Sequence, residues 1–299
     1  MFAAGKSAAQ GSATDTTKYG LFGGGTTGSN TAITQKYFYP SDTLGSGTSL
    51  GTARNSLAAS GNATVGIFGG GTTGANSSVT DVYTYAGDGR TGGTALGTAR
   101  WGLAAAGNST VGIFGGGTTG TPTTVTDKYT YSNNSRVAGT ILGTARFYLG
   151  AASNSTVVIF GQGRLSSGTA TTITDRYTFS GDTRVAGTSL VASKHSVAAT
   201  GNATAGYFGG GTPGGNTIYR YIYSSNATAN ASTSLRSRTN PAATGNSTFG
   251  LFAGGSTTTP AIINWVDKIT YSTLAVSTVT NLTTAVSAAA ATSSQIGNF

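Results

Sequence analysis

The sequence contains no cysteine, a single histidine and a single methionine among its 299 residues, and all eight of its acidic residues are aspartates. Without cysteine, no disulfide, thiolate nucleophile or thiolate metal site can form. General acid–base chemistry would have to be assembled from these few aspartates and His195. No apolar run approaches the ~18 residues of a membrane span, and residues 1–20 lack the apolar core of a secretory signal. We therefore predict neither a membrane span nor a signal peptide.

Charge is also scarce, since only 8% of the residues are charged while 37% are apolar. Disordered chains of low hydrophobicity usually carry high charge, so this composition is typical of a folded protein. The 48 glycines follow no three-residue period, which excludes a collagen helix. The formal charge of +9 favours anionic partners.

A repeat organises the chain. The segment 67–74 (IFGGGTTG) returns unchanged at 113–120, and related segments begin at Leu21, Ile159, Tyr207 and Leu251. The glycine after the phenylalanine stands at positions 23, 69, 115, 161 and 209, and an alanine takes its place at 253, with spacings of 46, 46, 46, 48 and 44 residues. A period of 20–50 residues indicates a solenoid, an array or a propeller.

Each unit is interpreted as four short strands. In the third unit these are Leu103–Ala106, Thr110–Phe114, Val125–Tyr131 and a short strand around Gly139–Leu142. Val125–Tyr131 alternates with the period of two that is typical of a half-buried strand. Helical repeats are excluded because three consecutive glycines and many β-branched residues recur in the units. The sequence therefore predicts an all-β, six-bladed β-propeller with four antiparallel strands per blade.

Three features make the unit resemble a kelch repeat: paired glycines after an apolar strand, such as Gly115 and Gly116, an aromatic residue about 14 positions later, and an arginine such as Arg146 at the start of the next unit. The resemblance spans nearly the whole chain and implies a propeller ring. The tryptophan usual near the end of a kelch unit is missing. Its register is occupied by Leu50, Leu96, Leu142, Leu190, Leu235 and Leu282. The copper chemistry of the kelch-type enzyme galactose oxidase needs a cysteine-linked tyrosine and histidines, whereas this chain has no cysteine and a single histidine.

The two ends of the chain compete for one strand position. Ala288–Ala291 resembles the first strand of the other units more closely than Ser7–Gln10 does. We expect the C-terminal segment to complete the first blade and close the ring, which removes free sheet edges. The domains are then an N-terminal arm, residues 1–17, and the propeller, residues 18–299.

Aromatic residues recur once per unit at two registers. We expect the phenylalanines to fill the gaps between blades and the second set to do the same further out, rather than to stack on a ligand. The first set is Phe22, Phe68, Phe114, Phe160, Phe208 and Phe252. The second set is Tyr39, Tyr85, Tyr131, Phe179, Tyr223 and Tyr271.

Aspartate and arginine also recur in register. Arg54 with Asp81, Arg100 with Asp127, and Arg146 with Asp175 are interpreted as structural pairs within one blade, and Asp267, Lys194 and Arg238 extend the pattern. The alternative interpretation is a ring of ligand carboxylates. Gln35 and Tyr219 would interrupt that ring.

No motif predicts catalysis, and we assign no catalytic, cofactor-binding or metal-binding residue. The triglycines lack the Gly-Lys-Ser/Thr ending of a phosphate loop, and His195 is interpreted as an ordinary surface histidine. Asn-x-Ser/Thr sequences recur in one turn of five units. We attribute them to turns, because asparagine tolerates left-handed backbone angles. They are at Asn62, Asn108, Asn154, Asn202 and Asn246.

We expect a non-enzymatic interaction protein, most consistent in composition with a virion-associated subunit of a bacteriophage (decoration, tail or fibre) that presents a propeller face to a protein or host surface. Its location would be the virion or the cell surface. Alternatives are a carbohydrate-binding adhesion module and, more remotely, a glycan-acting enzyme, which would need two carboxylates ~5–9 Å apart.

The expected partners are protein neighbours contacted through residues 1–17, and an anionic host-surface glycan. We do not expect nucleic-acid binding, because the basic residues are scattered. Binding residues are sought in loops whose length varies between otherwise regular units. These are Gly74, Ala75, Asn76 and Ser77; Ser166, Ser167, Gly168 and Thr169; and Thr257, Thr258 and Thr259.

Overall fold

The computed structural model describes residues 18–259 and 261–295, so the predicted arm, residues 1–17, lies outside the described residues. The described part contains 24 strands and one 3-10 turn, Ala86–Asp88, and no helix in it is long and apolar enough to cross a membrane. The strands form six four-stranded antiparallel sheets.

The first half of the ring holds blades 1 to 3. Blade 1 contains β1 (Tyr19–Gly23), β2 (Thr34–Phe38) and β3 (Thr43–Gly47). Blade 2 contains β4 (Ala58–Gly61), β5 (Val65–Gly69), β6 (Thr80–Thr84) and β7 (Gly89–Gly92). Blade 3 contains β8 (Ala104–Gly107), β9 (Val111–Gly115), β10 (Thr126–Thr130) and β11 (Ser135–Ala138).

The second half holds blades 4 to 6. Blade 4 contains β12 (Gly150–Ser153), β13 (Val157–Gly161), β14 (Thr174–Thr178) and β15 (Thr183–Ala186). Blade 5 contains β16 (His195–Gly201), β17 (Ala205–Thr212), β18 (Thr217–Ile222) and β19 (Ala227–Ser234). Blade 6 contains β20 (Ala242–Gly245), β21 (Phe249–Ala253), β22 (Val266–Thr270) and β23 (Val276–Thr278), after which the chain forms β24 (Ala290–Ser293).

The C-terminal strand closes the ring. β24 pairs antiparallel with β1 and becomes the inner strand of blade 1, with Phe22 opposite Ala291. The inner strands β4, β8, β12, β16, β20 and β24 contact one another in sequence, and β24 contacts β4 again. The predictions of a six-bladed propeller and of closure by the C-terminal segment are confirmed.

Strand positions in blade 3 agree with the sequence to within one residue for the first three strands. The fourth was predicted around Gly139–Leu142 and is instead Ser135–Ala138. The reason is the tightness of the hairpin after β10, in which Asn134 turns with a φ of +52°. Gly139–Leu142 forms the connection to the next blade, where the amide of Leu142 donates to the carbonyl of Thr124.

The triglycine ends the second strand with a left-handed bend that favours glycine, although Gln162 adopts it in blade 4. Gly70 and Gly71 have φ values of +70° and +99°, and a Cβ there would lie 2.8 Å from the Arg100 carbonyl and 2.6 Å from the Asn55 carbonyl. Left-handed backbone and close approach of another chain segment both favour glycine. The bend carries each blade into a loop next to the start of the following blade.

Phenylalanine fills the space between blades, as predicted. The ring of Phe68 in blade 2 lies against Gly23 of blade 1, where an added Cβ would meet it at 2.9 Å. The second aromatic set also packs between blades, but the prediction that it lies further out is wrong. The hydroxyl of Tyr85 reaches Thr292 on the inner strand of blade 1, at 3.0 Å, because small glycines leave a path inward.

The propeller has two different faces. One, here the loop face, carries the loops between the second and third strands and the connections between blades. The opposite one, here the turn face, carries the tight turns between the first and second strands. Lys18 lies at the turn face, since its carbonyl accepts from the Tyr39 amide as the Thr64 carbonyl accepts from Tyr85. Ser294 pairs with Tyr19 at the same face.

The asparagine turns lie on the turn face, but for a different reason from the one predicted. In the turn of blade 3, Asn108 Oδ1 accepts from the amides of Thr110 and Val111, both at 2.9 Å. Its Nδ2 donates to the Ser155 carbonyl of blade 4 at 3.2 Å. The asparagine is therefore required for its side-chain amide, as in an Asx turn, and not for left-handed backbone.

Candidate functional site

The arginine and aspartate predicted as a pair meet in the interior of blade 2. Arg54 is 0% exposed and Asp81 is 1% exposed, and Nη1 of the arginine lies 2.7 Å from Oδ2 of the aspartate. Arg54 Nε also donates to the Gly70 carbonyl at 2.8 Å, and Nη2 donates to the Phe68 carbonyl at 3.1 Å. The guanidinium therefore links the segment that enters blade 2 to the end of β5 by hydrogen bonds.

The same arrangement recurs in three other blades. The buried pairs are Arg100–Asp127 and Arg146–Asp175, both at 2.7 Å, and Arg238–Asp267. A second, partly exposed arginine contacts the other oxygen of each aspartate; these are Arg90, Arg136, Arg184 and Arg236. Each of these buried carboxylates is thus balanced by two guanidinium groups, which leaves it poorly suited to bind a metal or move a proton.

Blade 1 lacks both members of the pair. Gln35 occupies the aspartate register, and Val286 occupies the arginine register. The Gln35 side chain instead exchanges two hydrogen bonds with the backbone of Thr284, at 3.2 and 2.9 Å. Loss of both charges together avoids an unpaired buried ion.

Blade 5 keeps a cation and lacks the anion. Lys194 is 3% exposed, and Tyr219 occupies the aspartate register. Its ammonium donates to the carbonyls of Gly210 and Gly214 and lies 5.7 Å from the centre of the Tyr219 ring. Burial lowers the pKa of Lys194 to about 8.

Six residues with left-handed backbone surround the mouth of the central channel on the loop face. They are Ser56, Gly102, Tyr148, Ser196, Asn240 and Ala288, with φ between +51° and +64°. The amide of each donates to the carbonyl of the corresponding residue in the neighbouring blade, at 2.6–3.0 Å, so that six hydrogen bonds form a closed circle.

Tyr148 is the one bulky side chain in this circle. Left-handed backbone is unfavourable for a large residue, and such strain is concentrated at functional positions. Its side chain lines the mouth together with residues of the other blades. Burial raises the pKa of the Tyr148 hydroxyl, and a hydrogen bond with Ser56 opposes that rise.

A cluster of aromatic side chains lies beside the mouth. The position after the buried cation holds Asn55, Trp101, Phe147, His195, Thr239 and Ser287 in blades 2, 3, 4, 5, 6 and 1. The rings therefore occur in three consecutive blades. Trp101 contacts Phe147 edge-on at 5.6 Å and Tyr148 at 5.4 Å, and Tyr148 stacks with His195 at 6.5 Å. We call Trp101, Phe147, Tyr148 and His195 the aromatic patch.

Arg164 extends the aromatic patch with a positive charge. It lies 5.9 Å from the centre of the Phe147 ring, and its Nε donates to the Gly168 carbonyl at 2.9 Å. Within the described residues no carboxylate comes within ion-pair distance of it. His195 bonds Ser196 Oγ through Nδ1 at 3.0 Å, and burial, then the charge of Arg164, lower its pKa below the ordinary value. Both effects favour the neutral imidazole.

A cleft of about 300 Å³ opens between the loops of blades 3 and 4. It is lined by Trp101, Phe147 and Arg164, together with Thr118, Pro122 and Ser166 among others. The aromatic rings and the guanidinium thus share one solvent-open space, and hydroxyl groups lie at its border.

The three loops predicted as binding segments lie on the loop face, but only one of them borders this cleft. Ser166 and Gly168 line it. Loop 74–77 lies in blade 2, where Asn76 Nδ2 donates to the Thr119 carbonyl of blade 3 at 3.0 Å. Loop 257–259 lies in blade 6, where the Thr257 hydroxyl donates to the Thr259 carbonyl.

Sequence reasoning missed Trp101, Phe147, Tyr148 and Arg164. The signal was available, because aligning the units places rings after the buried cation in three neighbouring units and small polar residues in the other three. No group of three or more His, Asp or Glu side chains within the described residues could hold a metal ion. No protein-family model matches this chain, and no curated protein matches it.

Proposed function

We propose that this chain is a non-catalytic interaction protein of the kelch-repeat type, serving as a subunit of a larger assembly such as a bacteriophage virion and presenting its loop face to a partner. The proposal is based on where the sequence differs between the repeat units. On a scaffold copied six times, aromatic and basic substitutions occur together in blades 3, 4 and 5 of one face. A contiguous departure of this kind serves contact with another molecule better than it serves folding.

The charged groups favour binding over catalysis. Four of the seven described aspartates are buried and paired with arginine, and Asp42 and Asp88 bond Lys268 and Lys36 at 2.9 and 2.8 Å. Catalysis requires titratable groups that are both placed near each other and free to exchange protons. The described carboxylates that contact an arginine or lysine side chain do so in structural ion pairs.

The positions of Lys18 and Ser294 support attachment through one face and recognition through the other. Lys18, from which the predicted arm 1–17 extends, lies on the turn face, and so does Ser294. We propose that the arm makes its contact on this side, which would place the turn face toward the assembly and the loop face away from it.

Absence of cysteine allows a clean test by single-cysteine labelling. Ser166→Cys places a thiol on the loop face, and Ser109→Cys places one on the turn face; both serines are exposed. In the free chain both thiols should react with a maleimide at similar rates. In the assembled particle the thiol of Ser109→Cys should be protected, while the thiol of Ser166→Cys should stay reactive until host-envelope material is added. Protection of position 166 alone within the particle, or of neither position, would contradict the proposal.

A carbohydrate-binding adhesion module is the second candidate, and the aromatic patch favours it. Partly exposed rings next to a hydroxyl group provide surfaces for the apolar faces of sugar rings. This candidate shares the loop face with the first, since a virion subunit can also recognise a host glycan.

A further inference from the structure

The six-fold repeat acts as an internal control for what folding requires. After the buried cation, Asn55, Thr239 and Ser287 satisfy the scaffold in three blades. Trp101 and Phe147 replace them with rings that remain partly exposed. Exposed large aromatic surface is informative because burial does not explain it. These rings are therefore not needed to build a blade.

Arg164 departs from the repeat in the same place. The corresponding loop position holds Thr26, Thr72 and Thr118 in blades 1 to 3. In the described chain Arg164 has no carboxylate partner, and its terminal Nη groups donate no hydrogen bond there. Its Nε bond to Gly168 and its position above Phe147 fix the guanidinium at the side of the cleft. A positioned guanidinium recognises an oxyanion with two parallel hydrogen bonds.

The cleft combines three recognition elements of different chemistry. Trp101 and Phe147 supply apolar ring surface, the exposed Ser166 supplies a hydroxyl group, and Arg164 supplies positive charge. Its volume of about 300 Å³ lies at the lower end of small-ligand sites, which suits a small ligand better than a protein helix. The net charge of +9 further favours an anion.

We propose that this cleft binds an acidic oligosaccharide, with Trp101 stacking on the apolar face of a sugar ring, Phe147, which lies perpendicular to Trp101, bordering the sugar, and Arg164 pairing with its carboxylate, sulfate or phosphate group. The inference rests on the proposed function, because it assigns a ligand class to the same loop face. No bond is made or broken in this role.

The test uses substitutions that the scaffold already contains. Trp101→Asn introduces the residue found at that register in blade 2, and Arg164→Thr introduces the residue found in blades 1 to 3. Both variants should therefore fold, which thermal unfolding checks. Thr239→Ala, at the register of Trp101 but in blade 6, is the matched control.

The full chain is titrated by calorimetry with oligosaccharides of about two to six units, in neutral, uronic-acid and sulfated forms, and with oligothymidylate as a non-sugar polyanion. We expect binding of an acidic form, weakened about tenfold or more by Trp101→Asn. Arg164→Thr should weaken acidic binding about tenfold, remove its salt dependence, and leave any neutral binding unchanged. Thr239→Ala should bind as the parent does.

Three results would overturn the inference: no oligosaccharide binds, binding persists in both cleft variants, or oligothymidylate binds more tightly than every sugar tested. None of them bears on the protection of position 109 in the assembled particle. Failure of the glycan site is therefore distinguishable from failure of the proposed function.

Discussion

The hydroxyl of Tyr131 lies 2.6 Å from the hydroxyl of Ser60, on the inner strand of the preceding blade. The same contact recurs between Tyr271 and Thr200, at 2.9 Å. Phe179 is the member of this aromatic set without a hydroxyl, and it packs with Ala106, which has none either. A hydroxyl on the aromatic ring is thus paired with a hydroxyl on the neighbouring inner strand, as expected for buried hydrogen-bonding groups.

Blade 5 breaks this matching and allows a first prediction. The hydroxyl of Tyr223 is buried against Ala152 and has no hydrogen-bond partner among the described residues. Ala152→Ser should supply the missing partner and raise the free energy of unfolding by about 1 kcal/mol. Ser60→Ala, which removes the partner of Tyr131, should lower it by a similar amount. Urea titration of both variants measures the difference, and a destabilised Ala152→Ser would contradict the matching.

A second prediction concerns the buried ion pair of blade 3. Arg100→Val leaves the carboxylate of Asp127 buried with only the partly exposed Arg136, and should cost about 3–5 kcal/mol. Adding Asp127→Gln recreates the uncharged arrangement of Gln35 and Val286 in blade 1. The double variant should recover most of the loss, which gives a large coupling energy in a double-mutant cycle. Additive losses would show that the two side chains act independently.

A third prediction concerns the pH dependence of stability that Lys194 contributes. Its pKa in the folded protein is about 8, below the ~10.4 of an exposed lysine. Between these values the unfolded chain binds more protons, so stability rises with pH. Below pH 8 the lysine is charged in both states, and its contribution is constant.

Lys194→Met is the matched variant for this measurement. It removes a buried ammonium that has no carboxylate partner among the described residues and should stabilise the protein by about 1–2 kcal/mol at pH 7. Because the advantage of methionine shrinks as the parent loses its proton, the difference between the two chains should fall as the pH increases from 8 to 10. A difference that stays constant over this range would rule out titration of Lys194.

A fourth prediction separates the two roles of Asn108. Asn108→Ala removes the turn acceptor and the bond to blade 4, and should cost about 1–2 kcal/mol. Asn108→Asp keeps an oxygen for the amides of Thr110 and Val111 and removes only the inter-blade donor. Its thermal midpoint should therefore lie between those of the parent and the alanine variant. An aspartate variant as unstable as alanine would assign the whole effect to the inter-blade bond.

The features that recur in register were predictable from the sequence. Arg54 and Asp81 stand 27 residues apart, and the same spacing is found for Arg100 and Asp127. A fixed spacing within a repeat shows that two residues share one blade, and buried charges of opposite sign then have reason to meet. The ring itself follows from six such units and from Ala288–Ala291.

The candidate site was harder to predict because it depends on differences between units. Trp101 and Phe147 are 46 residues apart and belong to separate blades, so no local motif joins them. Arg164 reaches them from a different loop. The fourth strand was misplaced because Ser135–Ala138 is brought into the sheet by a tight turn at Asn134. The residue pattern alone does not reveal this turn.

Closure by β24 has a consequence for the order in which a gene can encode the blades. Tyr19 and Ser294 are hydrogen-bonded neighbours, so the described chain is a circle interrupted at one turn. Five other turns of similar form connect first and second strands around the ring. A circularly permuted chain that connected Ser294 to Tyr19 through a short linker and began at Thr64 would form the same ring, with its interruption moved one blade along.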